Sequence, residues 1–373
     1  MPDRAQPAAA RRIVVKVGSA VLAPGGVLDN AAIARLTADI AASRARGVSV
    51  VLVSSGAVAA GFRTLGLTEM PRSIRDKQAA AAVGQPALVH RYAELFARDE
   101  ITVAQVLLTG DVLDHRSRFL NARHTLTTLL DRGVVPIVNE NDSVTHDEIK
   151  LGDNDRLSAL VSGLVGADLL VILSSVDGLY EAGDPSRPIA SVADTANARA
   201  HVTGDASSTG TGGFATKLDA VDIARAHSVP TIITRGPTDA TPAPLAAVLD
   251  AQPVGTHFPL PEGASQRAAR KNWIGHAAVA RGRIHVDAGA ARALTQRGAS
   301  LLPKGITRVE GAFDAGAVVD VLDDAARPLA RGLTNYSSTD LARIAGKRSD
   351  EIEAALGYTY ADEAVHRDDM VVH

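Results

Sequence analysis

Residues 13–18 read Ile13-Val14-Val15-Lys16-Val17-Gly18. Aliphatic residues, most of them β-branched, follow one another with no polar alternation, and the run ends on glycine. A strand with one wet face alternates apolar and polar; an unbroken apolar run is how a strand buried on both faces of a parallel sheet reads. The same signature recurs at residues 48–53, 101–108, 134–138, 169–173 and 229–233. Helical patterns lie between these runs. In residues 30–46, Ile33, Leu36 and Ile40 share one face, Asn30 is placed to cap the start, and Gly47 stands where a C-terminal glycine belongs. Strand and helix alternating in this way predict an α/β fold, a three-layer αβα sandwich with a mainly parallel sheet.

The residues just after each run carry the functional signal. Val17 leads into Gly18-Ser19, Val53 into Ser54-Ser55-Gly56-Ala57, Val138 into Asn139-Glu140-Asn141-Asp142, and Leu173 into Ser174-Ser175-Val176-Asp177-Gly178. Ligands of parallel sheets bind in the crevice at the carboxyl ends of the strands. Any one polar turn is explained by the strand it ends; the recurrence of small and polar residues at all these ends predicts a ligand crevice.

Composition sets the outer bounds. The chain has 373 residues, 46% of them hydrophobic and 22% charged, which suits a soluble protein of about two domains. Aromatics are only 3%, so aliphatic side chains must fill the core. A net charge of −3 gives no reason to expect nucleic acid or an anionic membrane as the main partner. With no cysteine, disulfides, thiol catalysis and Cys-based metal sites are excluded. The first 12 residues lack the apolar segment of a secretory signal, and no stretch offers the ~20 apolar residues that span a bilayer, so the expectation is a cytoplasmic protein.

Three groups of residues could carry chemistry. Gly210-Thr211-Gly212-Gly213-Phe214-Ala215-Thr216-Lys217 precedes a helical pattern at residues 218–227. Glycines let backbone N–H groups approach phosphate oxygens, a helix N-terminus adds partial positive charge, and Lys217 adds a full one. The spacing matches neither the Walker A loop nor the dinucleotide fingerprint, and a plain flexible loop fits the glycines as well. Lys16 is costly to bury inside an apolar strand without an anionic partner; an edge position is the alternative. At the end of a first strand it is placed to meet a transferred phosphoryl group. Asn139-Glu140-Asn141-Asp142 and Gly152-Asp153-Asn154-Asp155 could bind a metal, accept a substrate ammonium or form Asx turns. The histidines, including His366 and His373, show no metal-ligand spacing, and no metal-binding residue is assigned. Phosphoryl transfer is mostly positioning and charge neutralisation. A carboxylate acceptor is already ionised at neutral pH and needs no general base.

In their order and spacing these pieces, with Phe119-Leu120-Asn121-Ala122-Arg123, resemble the glutamate 5-kinases of the amino acid kinase family. Related kinases share the first and last motifs; the N-E-N-D and G-D-N-D pair is what points to glutamate as acceptor. The resemblance implies that Lys16 and Lys217 contact the transferring phosphates and that Asp155 holds both lysines. It implies glutamate binding by Ser55, Gly56, Asp142 and Asn154. It implies ATP binding by Lys16, Ser174, Ser175, Thr211, Gly212, Gly213, Phe214, Ala215, Thr216 and Lys217. ATP with Mg2+, L-glutamate as substrate, proline as feedback inhibitor and a homo-oligomer are further implications. One departure stands out: the family usually has Thr-Asp where this chain has Ser174-Ser175, and Asp177 is the nearby carboxylate that could substitute. Acceptors such as aspartate or N-acetylglutamate remain open, as does an RNA-binding protein on a kinase-like scaffold.

The pattern changes near residue 261. Residues 281–359 show short strand-like pieces at 283–286, 306–309 and 317–322. Leu301-Leu302-Pro303-Lys304-Gly305-Ile306, Gly311-Ala312-Phe313 and Gly316 resemble a PUA domain. The expected organisation is a kinase-like domain at 1–262, a linker at 263–280, a small β-rich PUA-like domain at 281–359 and a tail at 360–373. PUA domains often bind RNA, but residues 281–373 carry 12 Lys and Arg against 14 Asp and Glu. That balance offers no basic face, so RNA is not the expected partner.

Overall fold

The computed structural model describes residues 5–109, 116–144, 154–181, 184–202, 213–260 and 280–373. The chain divides into two units, Met1–Gly263 and Ala264–His373.

In chain order the first unit contains α1 (Ala5–Ala8), β1 (Arg12–Val17), α2 (Ser19–Leu22), α3 (Asn30–Ala45), β2 (Ser49–Ser54), α4 (Ala57–Gly61), α5 (Ile74–Phe96), β3 (Val103–Leu108), α6 (Arg116–Asp131) and β4 (Val135–Glu140). Next come α7 (Asn154–Val165), β5 (Leu169–Ser174), β6 (Tyr180–Glu181), β7 (Asp184–Pro188), α8 (Thr195–Arg199), α9 (Phe214–Ala226), β8 (Thr231–Arg235), α10 (Pro244–Leu249) and β9 (Thr256–Phe258). Seven strands form one sheet in the order β3-β4-β2-β1-β5-β8-β9, parallel throughout except for β9 at one edge.

The parity of the strands explains the whole arrangement. Successive side chains of a strand point to opposite faces. From β1, Val14 packs with Leu126, Val161, Leu164 and Val221 of α6, α7 and α9. Ile13, Val15 and Val17 pack on the other face with Ile33, Leu36, Leu88, Tyr92 and Leu245 of α3, α5 and α10. These two cores are the outer seams of a three-layer sandwich. Lys16 has the parity of Val14 and so faces the α6, α7, α9 side.

Three local readings of the sequence are corrected. The 101–108 run is an edge strand, β3, and is not buried on both faces: it has one neighbour in the sheet, and Leu107 is 39% exposed. The cap of α3 is Asp29, whose Oδ1 accepts from the Ala31 and Ala32 amides at 2.8 and 3.1 Å; Asn30 is the first helical residue. Gly47 does adopt φ +81°, the left-handed conformation that favours glycine there. The helix expected at 218–227 starts at Phe214, because Gly213 takes the extended cap position, and Lys217 lies inside its first turn.

The second unit builds its own core around Ile284, Val319, Val321, Tyr336 and Ile344. Its five-stranded sheet runs β11-β10-β12-β13-β14, with β10 (Gly282–Val286), β11 (Ile306–Glu310), β12 (Val318–Leu322), β13 (Pro328–Thr334) and β14 (Val365–Val372). The segment 360–373 is therefore no free tail. Val365 and Met370 enter the core, and β14 pairs antiparallel with β13. Its scattered charges hid the strand. Most of the 263–280 linker lies outside the described residues. No helix among the described residues is long and apolar enough to cross a membrane.

Candidate active site

The parity that sends Lys16 towards α7 and α9 brings three charges together. Lys16 Nζ lies 2.5 Å from Asp155 Oδ1, and Lys217 Nζ lies 3.1 Å from Asp155 Oδ2. Asp155 stands in the first turn of α7 and Lys217 in the first turn of α9, so two helix N-termini converge on the end of β1. Lys16, Asp155 and Lys217 are only 6%, 4% and 8% exposed. Burial alone would push the Asp155 carboxyl up; the two ammonium groups outweigh it and hold its pKa at about 2. Two cations share one carboxylate, leaving net positive charge beside two helix dipoles. Such a place attracts phosphate oxygens. Gly18 keeps it open, since a Cβ there would stand 3.3 Å from Lys16 Nζ.

Thr216 Oγ1 lies 2.9 Å from Asp155 Oδ2 and 3.0 Å from the Gly213 carbonyl, which ties the start of α9 to the same carboxylate. Phe214 is half-buried and Ala215 exposed. Thr211 and Gly212, with Gly152 and Asp153, lie outside the described residues.

On the other side of Asp155 the preceding residue begins a polar network. Asn154 is buried, and its Nδ2 donates to Ser55 Oγ at 2.9 Å and to Asn139 Oδ1 at 3.0 Å. Asn154 Oδ1 is buried with no hydrogen-bond partner among the described residues. Ser55 is drawn to the end of β1 by its amide, which donates to the Val17 carbonyl at 3.1 Å. Gly56 follows at φ +108°, a conformation open to glycine, and starts α4. Asp142 sits beyond β4, its pKa pushed up to about 7 by burial and by the neighbouring Glu140 charge. A carboxylate in that state gains most from meeting a cation. One turn of helix thus faces two ways: Asp155 to the cationic pocket, Asn154 to the Ser55 loop.

Ser174 ends β5 and Ser175 follows it, but the carbonyls of both are occupied. The Ser174 carbonyl accepts from the Gly236 amide at 2.8 Å, and the Ser175 carbonyl from Arg235 Nη1 at 2.7 Å. Asp177 does not stand free as a substitute carboxylate. It pairs with Arg235 and accepts from the Tyr180 hydroxyl at 3.0 Å. The side chains of Arg235 and Asp177 come together from distant segments, and no local motif announces them.

Sequence reading also missed what holds the Ser55 loop. A Cβ on Gly61 would stand 2.0 Å from the Ala80 carbonyl oxygen, and one on Gly84 1.9 Å from that of Ala57. The backbones of α4 and α5 are therefore in direct contact, which only glycine permits. Farther along α5, the hydroxyls of Tyr92 and Ser54 lie 2.9 Å apart. Two small residues on neighbouring helices were the available signal.

Cations gathered at converging helix N-termini suit a phosphotransferase, which must neutralise charge on a transferring group. The chain belongs to the amino acid kinase family, and within it to the glutamate 5-kinases: the "Amino acid kinase family" model matches residues 11–235, and a relative of the latter name matches over 97% of the chain. A PUA domain model matches residues 282–356. The glutamate 5-kinase of Geobacter sulfurreducens is 49% identical over 368 residues, covering 97% of each chain. That of Meiothermus ruber is 49% identical over 365 residues, covering 96% of this chain and 94% of its own. That of Thermus thermophilus is 46% identical over 368 residues, covering 97% of each.

Proposed function

We propose that this protein transfers the γ-phosphoryl group of ATP to the side-chain carboxylate of L-glutamate, giving L-glutamyl 5-phosphate, the first step of proline biosynthesis. The observation that carries this reading is the adjacency of Asn154 and Asp155. One residue belongs to a pocket suited to an amino acid, the next to a pocket suited to phosphates.

The acceptor carboxylate is ionised at neutral pH, so no residue needs to remove a proton. The work left to the protein is to bring two anions together and neutralise the charge that spreads over the transferring group. Lys16 and Lys217 supply the cations. Asp155 holds both ammonium groups in place and does not touch the reacting atoms. Asp142 and Asn154 Oδ1 accept from the amino acid's ammonium group, and the Ser55 hydroxyl, already accepting from Asn154, is left to donate to a carboxylate. Gly213, Phe214, Ala215, Thr216, Ser174 and Ser175 line the nucleotide side. Mg2+, when bound with the nucleotide, would supply further positive charge to its phosphates. Among the described residues no group of three His, Asp or Glu side chains could hold a metal ion, and Asp155 is engaged by lysines. Kinship with the family supports the further proposals of feedback inhibition by proline, a homo-oligomer and a cytoplasmic location.

A substrate panel in an ATP-consumption assay tests the reading. Turnover should be found with L-glutamate and be at least about a hundredfold weaker with aspartate or N-acetylglutamate, since a missing methylene or a lost ammonium removes matched contacts. Equal or better turnover with either alternative would overturn it.

A further inference from the structure

Gln85 lies on the buried face of α5, one helical stripe with Leu88 and Tyr92. Its Oε1 accepts from Asn139 Nδ2 at 2.8 Å. Asn139 Oδ1 in turn accepts from Asn154 Nδ2 at 3.0 Å. The three amides form a directed chain in which every N–H donates away from Asn154 and towards Gln85. Each end carries an unmet group. Asn154 Oδ1 and Gln85 Nε2 are both buried without a hydrogen-bond partner among the described residues.

A row of amides can run in either direction, because each has one acceptor end and one donor end. The reversed row would turn the NH2 of Asn154 to where its oxygen now stands. Among the described residues the amide of Asn154 has one restraint besides this row, the Ser55 hydroxyl, which accepts or donates with equal ease. Ser55 therefore does not choose between the two directions, and the acceptor at the far end is Gln85 Oε1. The backbone that carries this oxygen is held in place, since the adjacent Gly84 meets Ala57 where α5 packs on the start of α4.

We propose that Gln85 is a positioning residue that sets the direction of the Gln85–Asn139–Asn154 amide chain, so that Asn154 presents an oxygen to the ammonium group of the amino-acid acceptor. This rests on the reading of Asn154 as a glutamate-binding residue. Gln85 itself never meets the substrate; its effect on affinity is exerted through two intervening amides. It therefore acts on the amino acid and not on the nucleotide.

The test compares Gln85→Met, Gln85→Glu and Asn154→Ala in the full chain, with thermal melting to check folding. Methionine matches the size of glutamine and has no carbonyl acceptor; glutamate keeps the acceptor oxygens. Gln85→Met should raise the KM for L-glutamate about tenfold, with kcat and the KM for ATP within about twofold of the parent. Gln85→Glu should stay within about threefold of the parent for glutamate. A residue that merely packs would give the opposite order, methionine harmless and the buried carboxylate harmful, and that order would overturn the proposal. Gln85→Leu repeats the test should the methionine variant not fold. If Asn154→Ala raises the KM for glutamate while Gln85→Met leaves it unchanged, the relay is wrong and the role of Asn154 survives. If Asn154→Ala also leaves it unchanged, both fall together.

Discussion

The two units treat charge differently. The first buries Lys16, Asp39, Glu140, Asp155 and Lys217. The second keeps its ion pairs largely at the surface, such as Arg308 with Glu310 and Arg327 with Asp323, and among its described carboxylates buries Asp369. Exposed pairs contribute about 0–1 kcal/mol each and explain little. Buried pairs are poor stabilisers too, because desolvation offsets much of their attraction, so a fold seeking stability alone would fill the space with aliphatics. The second unit follows that rule. The first departs from it at the carboxyl ends of its strands, where chemistry is expected, and at Asp39. There the departure is structural: the Asp39 carboxylate caps α10 by accepting from the Leu245 and Ala246 amides at 2.7 and 3.1 Å.

The sharpest way to break this contrast is to remove a buried cation. Lys16→Ala and Lys217→Ala should each lower kcat by about a thousandfold or more, because each removes a charge proposed to face the transferring group. Near-normal turnover in a folded variant of either would mean that the pair is structural, like Asp39.

A smaller effect tests the acceptor side. The pKa of Asp142 is raised to about 7 by burial and by Glu140. Above that value Asp142 carries the charge proposed to meet the substrate's ammonium group; below it the group is protonated and that attraction is lost. The KM for glutamate should therefore rise by about tenfold as pH falls from about 8 to 6, with the KM for ATP much flatter. In Asp142→Asn the slope should vanish and the KM should be high throughout. A slope that persists in that variant would move the titrating group elsewhere.

The smallest expected effect concerns the second unit. Every residue given a role at the site lies in Met1–Gly263, and each unit has its own core. A chain ending at Gly263 should fold and keep kcat with glutamate within about threefold of the full chain. Soluble, folded but inactive protein would show that the second unit contributes to catalysis.

Much of this architecture was legible in the residues, for reasons that differ from part to part. The central strands declared themselves because burial on both faces leaves an unbroken β-branched run. β3 carries a similar run, but edge position is set by sheet order, which composition does not encode. β14 was missed because Arg367, Asp368 and Asp369 interrupt its apolar pattern. Lys16, Asp155 and Lys217 were legible as motifs, and strand parity then explains why they meet. Gln85 was not, because one glutamine in an alanine-rich helix reads as surface until the opposing strand is in place. The pairing of Arg235 with Asp177 escaped for a related reason: each is an ordinary loop-side charge, and only the neighbouring β5 and β8 strands make them partners.

The contact between Gly61 and Gly84 constrains how this protein can change over time. Most helix seams drift, as a larger side chain on one helix is offset by a smaller one on the other. Here both surfaces are bare backbone, so there is no side chain to exchange and no single step that keeps the fit. The Ser55 loop and Gln85 are carried by the two helices of that seam and inherit its rigidity. Descendants of this sequence that acquire a new acceptor should therefore alter the side chains lining the crevice, such as Asp142, and leave the spacing of α4 and α5 as it is.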